Sequence, residues 1–381
     1  MIVGMDFGTT NSGMSVYDGQ RLQLIPLDHA NRNPHVARTA LYITNRRRVY
    51  MGRAAVEKYY EQNINRKVKY QRVWVGEITL EYAELPTWVR DVSIEKDVLS
   101  PGRLFLSFKT GLRSPTYLGT VVGSQFYLLE DIVALYLYIA RLRAEETLQT
   151  DLRRIVLGRP VHFSLDPEQD RLAAQRLVHA AFLAGYDEVY LQPEPIAAAH
   201  FYETTIDRPE NVLIFDFGGG TLDITIARLG DPTARAILAT GGIPIAGDVF
   251  DQKLVRANLP RHFGEGSHYR SDTGTTLPVP AAFFEAFADW QELLELNKPD
   301  FLRMIEQMAE SAQKRRQILM LRDLITSSYS LKMFDAVEAT KRELSGKIIS
   351  MINLDGPGFR VQQPVTRHEF ELLIEDDVQV I

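Results

Sequence analysis

The 381-residue chain contains no cysteine. Disulfide bonds, thiolate metal sites and a cysteine nucleophile are therefore excluded. A chain without disulfides suits a reducing compartment, and we expect a cytoplasmic protein. We also expect no secretory signal, because Ile2 and Val3 already belong to an apolar run that predicts a buried strand.

Long apolar runs are absent as well. The most apolar later stretch, residues 128–142, contains Glu130, Asp131 and Arg141, so it predicts an amphipathic or buried helix rather than a membrane span. Positive charge is also scarce, because 43 Lys and Arg against 49 Asp and Glu leave a net charge of -6. This balance argues against bulk electrostatic binding of nucleic acid or anionic membranes. We therefore expect no nucleic-acid and no membrane partner.

A short pattern occurs twice in the chain. The first copy, MIVGMDFGTTNSGMSV, covers residues 1–16, and the second, VLIFDFGGGTLDI, covers residues 212–224. Each copy is an apolar run that ends in Asp-Phe-Gly and continues through small residues into a second apolar arm. Such an internal repeat predicts two hairpins in two similar lobes.

The small residues after Asp-Phe-Gly are typical of a turn that binds phosphate. Glycine and threonine let backbone N–H groups converge on an anion without clashes from Cβ atoms. Phosphate repels the strand-end carboxylates Asp6 and Asp216 unless a cation lies between them, which predicts Mg²⁺ held through water molecules. Two hairpins that face each other would hold one polyphosphate from both sides. Neither turn continues into Gly-Lys-Ser or Gly-Lys-Thr, so the pattern is not a Walker A loop.

The remaining chain alternates between strand-like and helix-like patterns. Strands are predicted at residues 2–7, 14–17, 39–44, 49–51, 154–157, 188–191, 234–240, 347–354 and 358–361, with a hairpin at 212–229. Helices are predicted at residues 53–60, 129–148, 169–184, 195–202, 248–258 and 366–375, with mostly helical structure over 281–344. Residues from about 64 to 126 are interpreted as irregular and predict a peripheral insertion.

The two hairpins resemble the phosphate motifs of the superfamily that contains actin, hexokinase and the heat-shock chaperone ATPases. Four further segments occur in the order found in DnaK-type 70-kDa heat-shock chaperones and resemble their motifs: LQPEPIAAAHFY (191–202), IAGDVFDQKLV (245–255), VEATKRELS (337–345) and VTRHEFELL (365–373). The resemblance covers most of the chain. It implies an α/β protein with the actin-like ATPase fold, in which two ribonuclease-H-like lobes with inserted subdomains enclose a nucleotide cleft.

The resemblance also implies a domain division. Lobe I covers residues 1–205, with the peripheral insertion at about 64–126. Lobe II covers residues 206–381 and includes a helical nucleotide-binding subdomain at about 247–375. The family elements that follow the last matching segment are missing before Ile381, so we expect lobe II to be incomplete, with an exposed sheet edge that favours self-association.

The resemblance assigns roles to individual residues. The residues that match the family's phosphate-binding positions are Gly8, Thr9, Thr10, Asn11, Gly218, Gly219, Gly220, Thr221 and Gly247. The carboxylates around Mg²⁺ are Asp6, Asp216 and Asp223. The catalytic set is Lys109, Glu194, Asp216 and Thr221. The residues that match the family's nucleoside-binding positions are Glu338, Lys341, Arg342 and Ser345. They share one face of a helix, and an arginine on that face can stack on adenine.

The expected activity is slow ATP hydrolysis to ADP and phosphate, with lobes that close on ATP and open on ADP. Expected ligands are ATP, ADP and Mg²⁺, and a protein client or co-chaperone is an expected partner.

Gly-Arg-Pro-Val-His-Phe at 158–163 resembles the stand-alone ATPase branch that lacks a peptide-binding domain, and Ile196 departs from the family's usual threonine. Ala246 and Val249 also depart from the family motif and favour a second hypothesis, a pseudo-ATPase or scaffold that binds nucleotide and acts through a partner. A small-molecule kinase of the same superfold is a third.

Overall fold

The computed structural model describes residues 1–82, 85–243 and 245–381, with the side chains of residues 74–82 and 85–96 outside this description. The backbone divides into two compact units. Unit 1 comprises Met1–Glu61, Gly102–Phe250 and Gln379–Ile381, and unit 2 comprises Gln62–Pro101 and Asp251–Val378. Each unit has its own buried apolar core.

The strands of the described residues are, in chain order, β1 (Ile2–Phe7), β2 (Asn11–Tyr17), β3 (Leu22–Ile25), β4 (Ala37–Arg38), β5 (Ala40–Thr44), β6 (Val49–Met51), β7 (Tyr70–Tyr82), β8 (Leu85–Asp97), β9 (Gly102–Leu106), β10 (Gly119–Val122), β11 (Gln125–Leu128), β12 (Arg154–Arg159), β13 (Glu188–Pro193), β14 (Glu210–Phe217), β15 (Leu222–Leu229), β16 (Ala236–Ile243), β17 (His268–Arg270), β18 (Thr276–Pro278), β19 (Ile349–Gly356) and β20 (Phe359–Thr366).

The helices are α1 (Arg53–Asn63), α2 (Leu129–Leu148), α3 (Pro167–Leu183), α4 (Glu194–Glu203), α5 (Gly247–Asn258), α6 (Ala282–Glu285), α7 (Trp290–Glu295), α8 (Pro299–Ser311), α9 (Arg315–Thr326), α10 (Ser330–Leu344) and α11 (Arg367–Val380). Short 3₁₀ turns lie at Phe108–Arg113, Pro260–Phe263 and Ala286–Ala288. Among the helices in the described part of the chain, none is long and apolar enough to cross a bilayer.

The main sheet of unit 1 has six strands in the order β13-β12-β1-β2-β3, with β4 paired to β2. Strand β1 runs parallel to β12 and antiparallel to β2. Its side chains alternate, so that Val3, Met5 and Phe7 enter the core. There they join buried side chains of β12 and of helices α2 and α3, such as Leu157 and Leu177.

A second sheet of unit 1 has the order β14-β15-β16, with antiparallel neighbours. Helix α4 packs against β14 and β15, where Ala199, Ala227 and Leu229 are buried. Each of the two sheets therefore contains one Asp-Phe-Gly hairpin, β1-β2 in the first and β14-β15 in the second.

Helix α3 begins and ends where its sequence predicts. The carboxylate of Asp166 accepts hydrogen bonds from the N–H groups of Glu168 at 2.8 Å and Gln169 at 3.3 Å, and Pro167 occupies the first helical turn. The chain leaves the helix at Gly185, whose φ of 89° is readily adopted only by glycine.

Unit 2 contains the antiparallel pairs β7-β8, β17-β18 and β19-β20 together with helices α6 to α10 and most of α5 and α11. Its core includes Leu254, Phe263 and Phe287, and Val337 of α10 packs there with Ile352 of β19. The predicted helical character of 281–344 and the predicted strand pair around Asp355-Gly356-Pro357 are confirmed.

The prediction of irregular structure over 64–126 is wrong. This segment holds the long antiparallel pair β7-β8 as well as β9, β10 and β11. Pro86 lies near the start of β8, where a two-stranded sheet leaves each strand an outer edge that tolerates proline. Ala83 and Glu84 lie outside the described residues. The lobe boundary at 205 stays a prediction.

Candidate functional site

The two Asp-Phe-Gly hairpins have the same turn length. In the first, Phe7 pairs with Ser12, and in the second, Phe217 pairs with Leu222. In both cases four residues lie between the last paired positions. The sequence repeat is therefore also a structural repeat of strand, four-residue turn and strand.

The turns of the two hairpins lie against each other. A Cβ atom added to Gly219 would lie 2.0 Å from Oγ1 of Thr10, and one added to Gly220 would lie 3.4 Å from the side chain of Thr9. Within the first turn, a Cβ on Gly8 would lie 2.2 Å from the backbone oxygen of Asn11. The distances at Gly8 and Gly219 are shorter than a Cβ atom tolerates, so these two positions require glycine unless their neighbours move.

Helix α5 starts directly beneath the second turn. The N–H of Gly247 donates to the carbonyl of Gly218 at 3.2 Å, and the N–H of Asp248 donates to the carbonyl of Gly219 at 2.8 Å. Ala246, which precedes the helix, is fully buried. The positive end of the helix dipole therefore lies beside a predicted phosphate-binding turn, where it favours an anion.

Lys109 and Glu194 form an ion pair in unit 1. Nζ of Lys109 lies 2.6 Å from Oε1 of Glu194. Lys109 comes from the 3₁₀ turn after β9, and Glu194 opens helix α4. A Cβ on Gly158 would lie 3.0 Å from Cγ of Glu194, so glycine at the end of β12 leaves space for this side chain.

Three aspartates lie near this ion pair. Asp6 keeps solvent contact, yet loss of hydration and the negative charge of Glu194 raise its pKa to about 6. The pKa of Asp216 is also raised, mainly by burial and then by the negative charge of Glu194. The pKa of Asp223 is raised by burial as well, while hydrogen bonds oppose this effect. The carboxylates of these three aspartates and of Glu194 are close enough to affect one another's pKa values. The ammonium group of Lys109 offsets only part of their negative charge.

Both carboxylate oxygens of Asp223 have partners. Its Oδ1 accepts the backbone N–H of Val161 at 2.9 Å, and its Oδ2 accepts the hydroxyl of Thr221 at 3.1 Å. The side chain is 2% exposed. Sequence reasoning assigned Asp223 and Thr221 to the site but missed Val161, because a backbone donor leaves no signal in the residue type.

The donor chemistry of this region suits Mg²⁺ bound through water. Carboxylate oxygens are hard ligands, and excess negative charge favours a divalent cation. The hydroxyl of Thr10 is buried without a hydrogen-bond partner, so the turns hold an unsatisfied polar atom of the kind that a ligand satisfies. No group of three or more ligating side chains converges on one point in the part of the chain that is described.

The residues predicted to bind the nucleoside lie on α10 and just after it, in unit 2. Nζ of Lys341 lies 2.6 Å from Asp251, and Nη2 of Arg342 lies 2.5 Å from Glu338 one helical turn away. Ser345 follows the last helical residue, and its N–H bonds back to the carbonyl groups of α10. The shared helical face is therefore present, and its charged groups form one ion pair within α10 and one with Asp251 of α5.

Comparison with known proteins identifies the family of this chain. The sequence model of the family described as Hsp70 protein matches residues 2–268. The chain belongs to the Hsp70 family. The matched range includes both hairpins, Lys109 and Glu194, and it ends before α10.

Two relatives of this Hsp70 family member are chaperones. It is 27% identical over 270 residues to the chaperone protein DnaK of Thermosipho melanesiensis, an alignment that covers 68% of this chain and 35% of the relative. It is 28% identical over 256 residues to the chaperone protein dnaK of Gracilaria tenuistipitata var. liui, covering 67% and 37%. The match thus spans about a third of the length of these curated relatives.

The Hsp70 match and the mixed α/β architecture confirm the predicted fold class. The chain has the α/β actin-like ATPase fold. The roles predicted for individual residues stay predictions, although the structure brings both turns, Lys109, Glu194 and the three aspartates into one region of unit 1.

Proposed function

We propose that this Hsp70-family chain is a nucleotide-binding ATPase module of the chaperone type, located in the cytoplasm. It binds ATP with Mg²⁺ through the two Asp-Phe-Gly turns and hydrolyses it slowly to ADP and phosphate. The closeness of the turns at Thr10 and Gly219 carries the proposal, because two turns of this composition lie near enough to bind one polyphosphate together.

The proposed roles are those that the family resemblance implies, and the proximity of these residues in unit 1 supports them. The turns and the start of α5 receive the phosphates, and Lys109 supplies a positive charge. Asp6, Asp216 and Asp223 would hold Mg²⁺ through its waters, and the ion would neutralise charge on the transferred phosphate. Glu194, together with Asp216 and Thr221, would orient the attacking water. The lobes would close on ATP and open on ADP, which makes hydrolysis a switch for a protein client or co-chaperone.

The proposal is tested by calorimetric titration of ATP and Mg²⁺ into the full chain and into Asp216→Ala. We expect binding by the wild-type chain and strongly weakened binding by the variant, because the variant lacks a carboxylate beside the ion. Binding by neither protein would refute the proposal. Single-turnover measurement of phosphate release then separates hydrolysis from binding alone.

A binding module without hydrolysis is the second candidate. It is favoured by Ala246 and Val249, which replace a glycine and an aspartate of the motif in the resembling chaperones. In that case the wild-type chain would bind ATP and release no phosphate. A small-molecule kinase would instead release ADP only when a hydroxyl-bearing acceptor is added.

A further inference from the structure

The guanidinium of Arg159 holds the turn that follows β12. Its Nε donates to the carbonyl of Pro160 at 3.0 Å, and its Nη2 donates to the carbonyl of Val161 at 3.2 Å. The same Nη2 lies 2.7 and 3.0 Å from the two carboxylate oxygens of Asp170. The guanidinium carbon also lies 5.0 Å from the centre of the Phe163 ring. One side chain therefore contacts both ends of this turn.

Asp170, on the first turn of α3, fixes the same segment from the other side. Its Oδ1 accepts the backbone N–H of Phe163 at 2.7 Å as well as the bond from Arg159. The side chains of Arg159 and Asp170 are 17% and 22% exposed. Charge-assisted hydrogen bonds are shorter and stronger than neutral ones, so the pair stabilises this conformation of the turn.

The turn places the backbone N–H of Val161 in the candidate site. The N–H of Val161 donates to Oδ1 of Asp223, which is nearly fully buried. Val161 follows a strand of the first sheet, whereas Asp223 lies on β15 of the second sheet. This bond therefore links the two sheets that contain the repeated hairpins, and it fixes the orientation of one carboxylate.

We propose that Arg159 and Asp170 are positioning residues for Asp223. They hold the turn so that the N–H of Val161 stays on the carboxylate, and the carboxylate keeps one orientation toward the reacting phosphate and its ion. The inference rests on the proposed ATPase function, because the orientation of Asp223 affects turnover only if this site hydrolyses ATP. Fixed orientation of such outer partners matters because small displacements of reacting groups slow catalysis strongly.

The test uses the full chain with Arg159→Met and, as a second variant, the isosteric Asp170→Asn. Hydrogen exchange at the amide of Val161 reports the turn directly, and amides of β12 such as Leu157 report general unfolding. Arg153→Met is the matched control, because Arg153 pairs with Asp151 at 2.7 Å on the surface of the same unit. Steady-state ATP hydrolysis is measured for all four proteins.

We expect exchange at Val161 to accelerate about 10-fold or more in both variants, with Leu157 still protected. We expect kcat to fall about 10- to 100-fold, with a KM for ATP that changes less than the kcat. Arg153→Met should alter neither quantity.

Two results would overturn the positioning role. One is unchanged protection of Val161 in both variants. The other is loss of protection at Val161 and Leu157 together, which would indicate general destabilisation. Accelerated exchange at Val161 alone, in a chain whose wild type shows no turnover, would support the positioning of Asp223 and refute the proposed hydrolysis.

Discussion

Lys109 and Glu194 neutralise each other in unit 1: the ammonium nitrogen lies 2.6 Å from the carboxylate, and the two side chains are only 5% and 18% exposed. They are 85 positions apart in the sequence. The ammonium group also lies 5.7 Å from the ring centre of Phe7 and 6.0 Å from that of Phe163, so aromatic faces and one carboxylate surround it. A buried pair of this kind is far more sensitive to loss of one partner than to loss of both.

The first prediction follows from this pair. Lys109→Met should lower the free energy of unfolding by about 3 kcal/mol, because it leaves Glu194 buried without its partner. Adding Glu194→Gln should restore most of the lost free energy of unfolding. Neither the single nor the double variant should hydrolyse ATP. Urea unfolding and phosphate release measure the two effects.

The surface pair Lys58 and Glu61 provides the control for this prediction. Their charged atoms lie 2.8 Å apart, but Glu61 is 65% exposed. Lys58→Met should therefore change the free energy of unfolding by about 1 kcal/mol or less. Equal losses in Lys109→Met and Lys58→Met would contradict the claim that burial makes the first pair sensitive.

The second prediction concerns pH. Because the folded protein raises the pKa of Asp6 to about 6, the folded state binds more protons than the unfolded chain between about pH 4 and pH 6. The contribution of Asp6 to the free energy of unfolding should then be most favourable below about pH 4 and should fall as the pH rises through 6. Solvent contact of Asp6 moderates the size of this fall.

Asp6→Asn tests this dependence, because it removes the titrating group. Urea unfolding across the same pH range should show a smaller fall in the variant than in the wild type. Part of the fall should remain, since burial raises the pKa of Asp216 and Asp223 as well. Asp18→Asn is the control, because backbone N–H groups lower the pKa of that exposed carboxyl. An identical pH dependence of the wild type and of Asp6→Asn would contradict the assignment.

Local chemistry explains which parts of the fold the sequence predicts. Glycine and threonine after Asp-Phe-Gly define a turn without help from distant residues, so both hairpins are predicted correctly. The cap at Asp166 and the exit at Gly185 are equally local. The strand β7 was missed although its sequence, YQRVWVGEITLEY, is rich in β-branched and aromatic residues, because scattered prolines and tryptophans around it suggested irregular structure.

Contacts between distant residues explain what the sequence could not predict. The Val161–Asp223 bond joins residues 62 positions apart, and its donor is a backbone group. In the sequence, Arg159 is noted only as part of the segment Gly-Arg-Pro-Val-His-Phe, and its contact with Asp170 is evident only in the folded chain. Likewise, the closeness of Thr10 and Gly219 depends on how the two sheets pack.

The third prediction concerns the contact between the turns. Gly219→Ala would place a Cβ atom 2.0 Å from Oγ1 of Thr10 and 3.1 Å from Asp248, so the Thr10 side chain must rotate or the turns must separate. We expect the affinity for ATP with Mg²⁺ to fall about 10-fold, because displaced backbone N–H groups of the two turns would no longer bind the same polyphosphate together. Calorimetry of the single variant measures this loss.

Two further variants make the third prediction specific. Thr10→Ala alone should also weaken binding, because it removes a predicted hydroxyl donor. In the double variant the combined loss should be smaller than the sum of the two single losses, because both changes disturb the same contact. Gly241→Ala is the matched control, since a Cβ at that position meets nothing within 4 Å. If Gly241→Ala weakened binding as much as Gly219→Ala, the close contact would not be the cause.

The last prediction concerns α10. Arg342 is 67% exposed and pairs with Glu338 one turn away, and Lys347 is 61% exposed and pairs with Glu343 in the same i,i+4 geometry. Either residue changed to alanine should alter the free energy of unfolding by less than about 0.5 kcal/mol. If Arg342 stacks on adenine, Arg342→Ala should weaken ATP binding about 10-fold, while Lys347→Ala leaves it unchanged.

Inorganic triphosphate, which lacks the nucleoside, should bind Arg342→Ala as well as it binds the wild type. An equal loss of triphosphate affinity would show instead that Arg342 acts on the phosphates.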